Sequence, residues 1–178
     1  RPVHLHVVAA RTFVDDGEET WGLVASYEKA VSDVLAVEFG YFNEGHPDPS
    51  PHRDGFSLQL FAGVQPFANA GSDDVAGFLA DRLRLRAGAG PTIWFDSVNP
   101  DDDLAREKTG VGVVVTGAVD FRVIGGLSVG PRVQEHYGFG TRNAVLVGLD
   151  VSYALFPAPE RTAPDFSAVA ATGKSVRN

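Results

Sequence analysis

Ala144-Val145-Leu146-Val147-Gly148-Leu149-Asp150-Val151-Ser152-Tyr153-Ala154-Leu155 decides the fold. Val145, Val147, Leu149, Val151, Tyr153 and Leu155 share one face; Ala144, Leu146, Gly148, Asp150, Ser152 and Ala154 share the other. Alternation with a period of two marks a strand, because successive side chains leave a pleated backbone on opposite sides. Working back toward the N-terminus, the same pattern predicts strands at 3–13, 20–28, 34–44, 55–66, 82–96, 109–118, 122–136 and finally 143–155. Turn-forming residues separate these segments, as in an antiparallel meander.

The two faces differ in kind. In the fifth segment Leu83, Leu85, Ala87, Ala89, Pro91, Ile93 and Phe95 oppose Arg82, Arg84, Arg86, Gly88, Gly90, Thr92, Trp94 and Asp96. In the seventh, Leu127, Val129, Pro131 and Val133 oppose Ser128, Gly130, Arg132, Gln134 and His136. The third sets Leu35, Val37, Phe39 and Tyr41 against Ala36, Glu38, Gly40 and Phe42. Roughly 40 large apolar side chains are too bulky for the inside of an eight-stranded barrel, which side chains only just fill. The Gly-rich polar set fits there, with Arg82, Arg84, Arg86 and Arg132 pairing with Glu38, Asp96 and Asp150, since buried charges need partners. Phe13, Trp21, Tyr41, Phe56 and Phe95 lie near one end of their strands, and Tyr27, Phe67, Phe121 and Tyr153 near the other. Such belts flank the apolar band of membrane barrels. The reading is all-β: an eight-stranded antiparallel up-and-down transmembrane β-barrel with a polar, side-chain-filled lumen. A soluble lipocalin-like carrier, its apolar face turned inward around a ligand, is the architectural alternative.

Composition narrows the function. The 178 residues carry a formal charge of −8, which argues against a nucleic-acid partner. With no cysteine, disulfides, zinc–thiolate sites and cysteine nucleophiles are excluded. The longest uncharged run ends at Ser72 and is broken by Gln59, Gln65, Pro66 and Asn69, so no spanning helix is expected. No secretory signal pattern stands at the start, so in an exported protein that segment is expected to have been removed. Gly88-Ala89-Gly90 and Gly138-Phe139-Gly140 lead into no helix and are not phosphate loops; no cofactor is implied.

Connections suggest an orientation. Val14–Glu19, Gly45–Asp54, Ser97–Lys108 and Tyr137–Arg142 read as outward loops, whereas Lys29–Asp33 and Val119–Phe121 read as short periplasmic turns. Phe67–Asp81 is long for a turn and is expected to hold a short helix around Asp74–Leu79. The barrel is assigned to 1–156 and a Pro-containing periplasmic tail, with Pro157, Pro159 and Pro164, to 157–178. Both termini are then periplasmic, and outer-membrane lipid or lipopolysaccharide is the expected partner. The tail is a candidate contact for a periplasmic or envelope protein.

In architecture the chain resembles the small OmpA-like outer-membrane barrels, and at Gln134-Glu135-His136-Tyr137-Gly138 it resembles the PagL-type lipid A deacylases. The deacylase pattern places a His, one residue, then a nucleophilic Ser, with an acidic residue on the last strand. The resemblance implies His136 as the base and Asp150 as its acid partner. Gly138 stands where the Ser belongs, and without that hydroxyl the acyl-enzyme step does not carry over.

The densest polar cluster is Asn43-Glu44-Gly45-His46 with His52-Arg53-Asp54-Gly55, bracketing one loop. Glu44, His46, His52 and Asp54 have the donors for a divalent metal. They also suit a general acid–base pair in which His46 or His52 is oriented by Glu44. Ion pairing of Arg53 with Glu44 or Asp54, in a loop stiffened by Pro47, Pro49 and Pro51, accounts for the same residues structurally. Asp96 and His136 are expected at this rim. Asp101-Asp102-Asp103 is a solvated acidic loop or a calcium contact. His4 and His6 share a face of the first strand, as a hydrogen-bonded interior pair or a metal chelate. The function expected is a structural or binding one through the outward loops. The alternative is a lipid A- or lipopolysaccharide-modifying acyl ester hydrolase using His136 or the loop rim.

Overall fold

The computed structural model describes residues 2–15, 19–45, 52–67, 75–80, 82–97, 108–139 and 142–155. Eight strands, β1 (Val3–Val14), β2 (Thr20–Ala30), β3 (Leu35–Asn43), β4 (His52–Val64), β5 (Leu83–Ser97), β6 (Lys108–Ile124), β7 (Leu127–Gly138) and β8 (Ala144–Ala154), form a closed barrel. A helix, α1 (Val75–Ala80), lies between β4 and β5 within a residue of its expected place. Every strand pairs antiparallel with its neighbours in sequence, and β1 closes on β8 through rows such as Val7↔Val151 and Ala10↔Gly148. Closure leaves no sheet edge with unpaired amides, which is what a strand structure in lipid requires.

The apolar faces point outward. Val7, Leu58, Leu60, Val111 and Leu149 are each more than half exposed on the outer wall. Tyr27, Leu5 and Tyr153 form one continuous row across β2, β1 and β8 toward the termini. At the other end Trp21 pairs with Arg11, whose guanidinium stacks 5.1 Å from the indole centroid. Phe56 stacks on Phe39 at 5.8 Å and tilts against Tyr41 at 5.7 Å. The wall between these rows is aliphatic apart from Phe39, the cross-strand partner of Tyr27, so it is built for a lipid surround and the soluble-carrier alternative falls. No helix among the described residues is long and apolar enough to cross a membrane; the strands do so.

One connection lies elsewhere than expected. β6 runs on through Val119–Phe121, and the turn to β7 is Gly125-Gly126, where Gly125 adopts φ 51°. Two-residue hairpin turns need that left-handed backbone, which glycine takes without a Cβ clash. The longer strand carries Asp120 to the inner wall, where it bonds Arg86.

The lumen is filled, but not by polar groups alone. Val8, Ala10, Val24, Phe42, Trp94, Ala144 and Leu146 form an apolar plug inside the barrel. Trp94 is accommodated by Gly110 on β6, where a Cβ would stand 1.9 Å from the indole Cζ2. Gly110→Leu is therefore expected to displace Trp94 and destabilise the barrel by about 1–3 kcal/mol or more, the usual cost of overpacking. Denaturant unfolding in detergent micelles, followed by tryptophan fluorescence, measures it.

Toward the termini, a charge network binds six strands. Arg132 bonds both oxygens of Glu38, at 2.5 and 3.1 Å, and reaches Asp150 at 3.4 Å. Arg86 bonds Glu28 at 2.5 Å, Asp120 at 2.5 and 3.1 Å, and Asp150 at 3.3 Å. The Phe61 ring faces both guanidiniums, at 5.1 and 5.6 Å. The expected pairing of Arg86 and Arg132 with Glu38 and Asp150 is observed, whereas Arg82 lies outside the network. Its guanidinium stacks on Phe78 of α1 at 4.5 Å and bonds the Val123 carbonyl at 3.4 Å. Arg84 approaches Glu28 at 3.6 Å.

Candidate functional site

The polar residues expected to meet at one rim occupy two sites, back to back across the barrel wall. Glu44 continues the inward set Ala36, Glu38, Gly40 and Phe42, and Arg53 continues the inward set of β4, with the Glu44 amide bonded to the Arg53 carbonyl. Asn43, His52 and Asp54 have the opposite parity and face outward.

The inner site is almost fully buried. Glu44 accepts from His136 Nδ1 at 3.2 Å and from Arg142 at 3.2 Å, and Arg53 Nε lies 3.9 Å away. Arg53 donates to Asp96 at 3.0 Å and to the Arg142 carbonyl at 3.1 Å, and stacks on Trp94 at 4.2 Å. His136 sits edge-on to Phe42 at 4.2 Å. The strand ends of β4, β5 and β7 and the segments at Glu44 and Arg142 are thereby tied together above the apolar plug. Asp96 thus pairs with Arg53 and not with the β5 arginines.

In the outer site Asp54 is the hub. Its Oδ1 accepts from Tyr41 at 2.6 Å and from Asn43 at 2.8 Å, and its Oδ2 lies 2.7 Å from His52 Nε2. His52 Nδ1 lies 2.8 Å from the Gly45 carbonyl, and the Gly45 amide donates to Asn43 at 2.8 Å. Both ring nitrogens of His52 have hydrogen-bond partners at the loop base, so the ring braces it.

Two pairings expected from sequence are not made. His52 is oriented by Asp54, not Glu44, because the two groups leave opposite sides of the sheet. His136 pairs with Glu44, while Asp150 bonds His6 Nδ1 at 3.0 and 3.1 Å, so the acid expected for a deacylase-like triad belongs to another cluster. His46, Asp101, Asp102, Asp103 and the 157–178 tail lie outside the described residues. Sequence reasoning passed over Arg142, Glu28 and Asp120, although inward parity marks Glu28 and Asp120.

Glu44 stands just past the end of β3. Burial opposes its ionisation, but the hydrogen bond and charge of His136, with the charges of Arg53 and Arg142, hold its carboxyl below the ordinary value of 4.5. A carboxylate depressed by folding contributes stability above its unfolded value and loses it as pH falls through the folded one. Unfolding midpoints in detergent are expected to decline as pH drops below about 4.5. Glu44→Gln should lower the neutral-pH midpoint and flatten that limb; a parallel decline in the variant would remove Glu44 from the account.

No protein-family model matches the sequence, and no curated protein matches it. Among solved structures, the fold is that of eight-stranded transmembrane β-barrels of bacterial outer membranes. The N-terminal β-barrel domain of Pseudomonas aeruginosa OprF superposes with a TM-score of 0.61 at 13% identity, over 85% of this chain and 97% of that one. Neisserial surface protein A gives a TM-score of 0.56 at 14% identity, over 85% and 95%. Yersinia pestis Ail, solved with the heparin analogue sucrose octasulfate, gives 0.51 at 9% identity, over 85% and 97%. At these identities the likeness is one of fold.

Proposed function

We propose that the protein is an outer-membrane barrel acting as a membrane-embedded scaffold, with a structural or binding role through the loops after β1, β3, β5 and β7. The observation that carries this reading is the combination of an apolar outer wall with a filled lumen. Such a barrel belongs in lipid, and an eight-stranded interior that side chains only just fill, here with an apolar plug and ion-pair layers, does not suit a porin role. Both braced sites lie at the loop end, where they stiffen the platform from which the loops rise. Outer-membrane lipid and lipopolysaccharide would surround the belt. The loop-bearing end would face outward and the termini the periplasm, with the 157–178 segment available to an envelope partner. The short turn at 31–34 against the long connection after β3 supports that orientation.

Two measurements test it. Detergent-extracted membranes should show a band that shifts on boiling in SDS; an unshifted band and recovery in the soluble fraction would end the proposal. Because the chain has no cysteine, Pro49→Cys and Ser32→Cys report sidedness without background. A membrane-impermeant maleimide should label position 49 and not position 32 on intact cells. The reverse result would invert the orientation.

A further inference from the structure

We propose that the lumen holds a divalent transition-metal ion of the zinc class, ligated by His6 and by one carboxylate oxygen each from Glu28 and Glu38. A ring nitrogen of His6 and one oxygen of each glutamate lie within 4.8 Å of one another, and all three residues are buried. They come from the adjacent strands β1, β2 and β3, and Glu28 and Glu38 are direct cross-strand partners. Like charges placed opposite each other repel; Arg86 Nη1 lies beside this pair, 2.5 Å from Glu28 and 3.7 Å from Glu38.

His6 carries the second observation. It is 2% exposed; its Nδ1 is held by Asp150, and its Nε2 is buried with no hydrogen-bond partner among the described residues. A carboxylate on one imidazole nitrogen is the outer-shell arrangement that fixes the tautomer and presents the other nitrogen's lone pair to a metal. An unused buried nitrogen is otherwise a plain loss of free energy.

Charge favours the same occupant. The carboxylates of Glu28, Glu38, Asp120 and Asp150 face the two fully buried guanidiniums of Arg86 and Arg132; Arg84, at 3.6 Å from Glu28 and partly exposed, offsets part of the remainder. Each carboxylate offers about four lone-pair sites, so the arginine bonds leave room for a metal contact. Imidazole with two carboxylates selects zinc-class ions over calcium or magnesium, and three protein ligands leave a position for water. The ion would pin three consecutive strands at the end of the barrel where the chain begins.

The test is calorimetric titration of Zn2+ into full-length barrel refolded in detergent after chelator treatment, with Co2+ as a spectroscopic stand-in. One ion per chain is expected, with visible cobalt bands of a nitrogen/oxygen site and no competition from Mg2+. His6→Gln should weaken binding at least 100-fold, and Asp150→Asn by about 10–100-fold, as loss of an outer-shell partner does. Should His6→Gln fail to fold, Glu28→Gln must show the loss. Absence of stoichiometric binding overturns the proposal. So does binding that survives His6→Gln but disappears with His52→Ala, which would place the ion at the loop rim.

Discussion

Arg132→Ala is expected to destabilise the barrel by about 3–5 kcal/mol, the usual cost of breaking a buried ion pair from one side. Arg132 and Glu38 are each at most 1% exposed, and two of the guanidinium nitrogens bond the two carboxylate oxygens. With Arg132 gone, the nearest guanidinium to Glu38 is Arg86 at 3.7 Å, already engaged with Glu28, Asp120 and Asp150. The truncation also empties the space against the Phe61 ring. The double variant Arg132→Met, Glu38→Leu removes both charges and refills the volume. It should recover most of the loss, because an apolar replacement often matches a buried pair in stability. Urea unfolding in micelles of the wild type, Arg132→Ala and the double variant decides the point. A cost below about 1 kcal/mol for Arg132→Ala would mean that water reaches the network and hydrates the orphaned carboxylate.

Val7→Arg tests the outer wall. Val7 is 53% exposed, lies midway along β1 and is flanked by Ala25 and Val151 in the paired rows. In lipid an arginine at the midplane of a barrel wall costs about 2–4 kcal/mol, falling to about 0–1 near the interfaces. Phe13→Arg, at the end of the same strand, is therefore the companion variant and should cost distinctly less. Folding into lipid vesicles, read by heat-modifiable mobility and denaturant titration, gives both numbers. Equal and near-zero costs, as for ordinary solvent-facing substitutions, would contradict a lipid-facing wall.

Much of this was legible from parity alone. The alternation of Val145 to Leu155 names which residues face out, and the same rule in β3 and β4 separates Glu44 and Arg53 from Asn43, His52 and Asp54. Applied strictly, parity alone splits the rim cluster. Proximity in sequence suggested one site instead, because a loop brings both halves together without revealing that the sheet passes between them. The turn after β6 is a second case. Val119–Phe121 reads as a short turn, yet it continues β6 and Asp120 belongs inside, bonded to Arg86.

Composition and period therefore determined the strands, their two faces, the direction in which the apolar face turns and the absence of cysteine chemistry. These are local properties, carried by the pleat and by the cost of burying too many large side chains in a narrow barrel. Only the tertiary structure decided the partners. Asp150 meets His6 and not His136, Glu44 meets His136 and not His52, and Arg86 bonds acids from three other strands. Such meetings depend on the register of all eight pairings and on the closure of β1 against β8. Each register fixes the height of a side chain in the lumen relative to its neighbours, and no single segment contains that information.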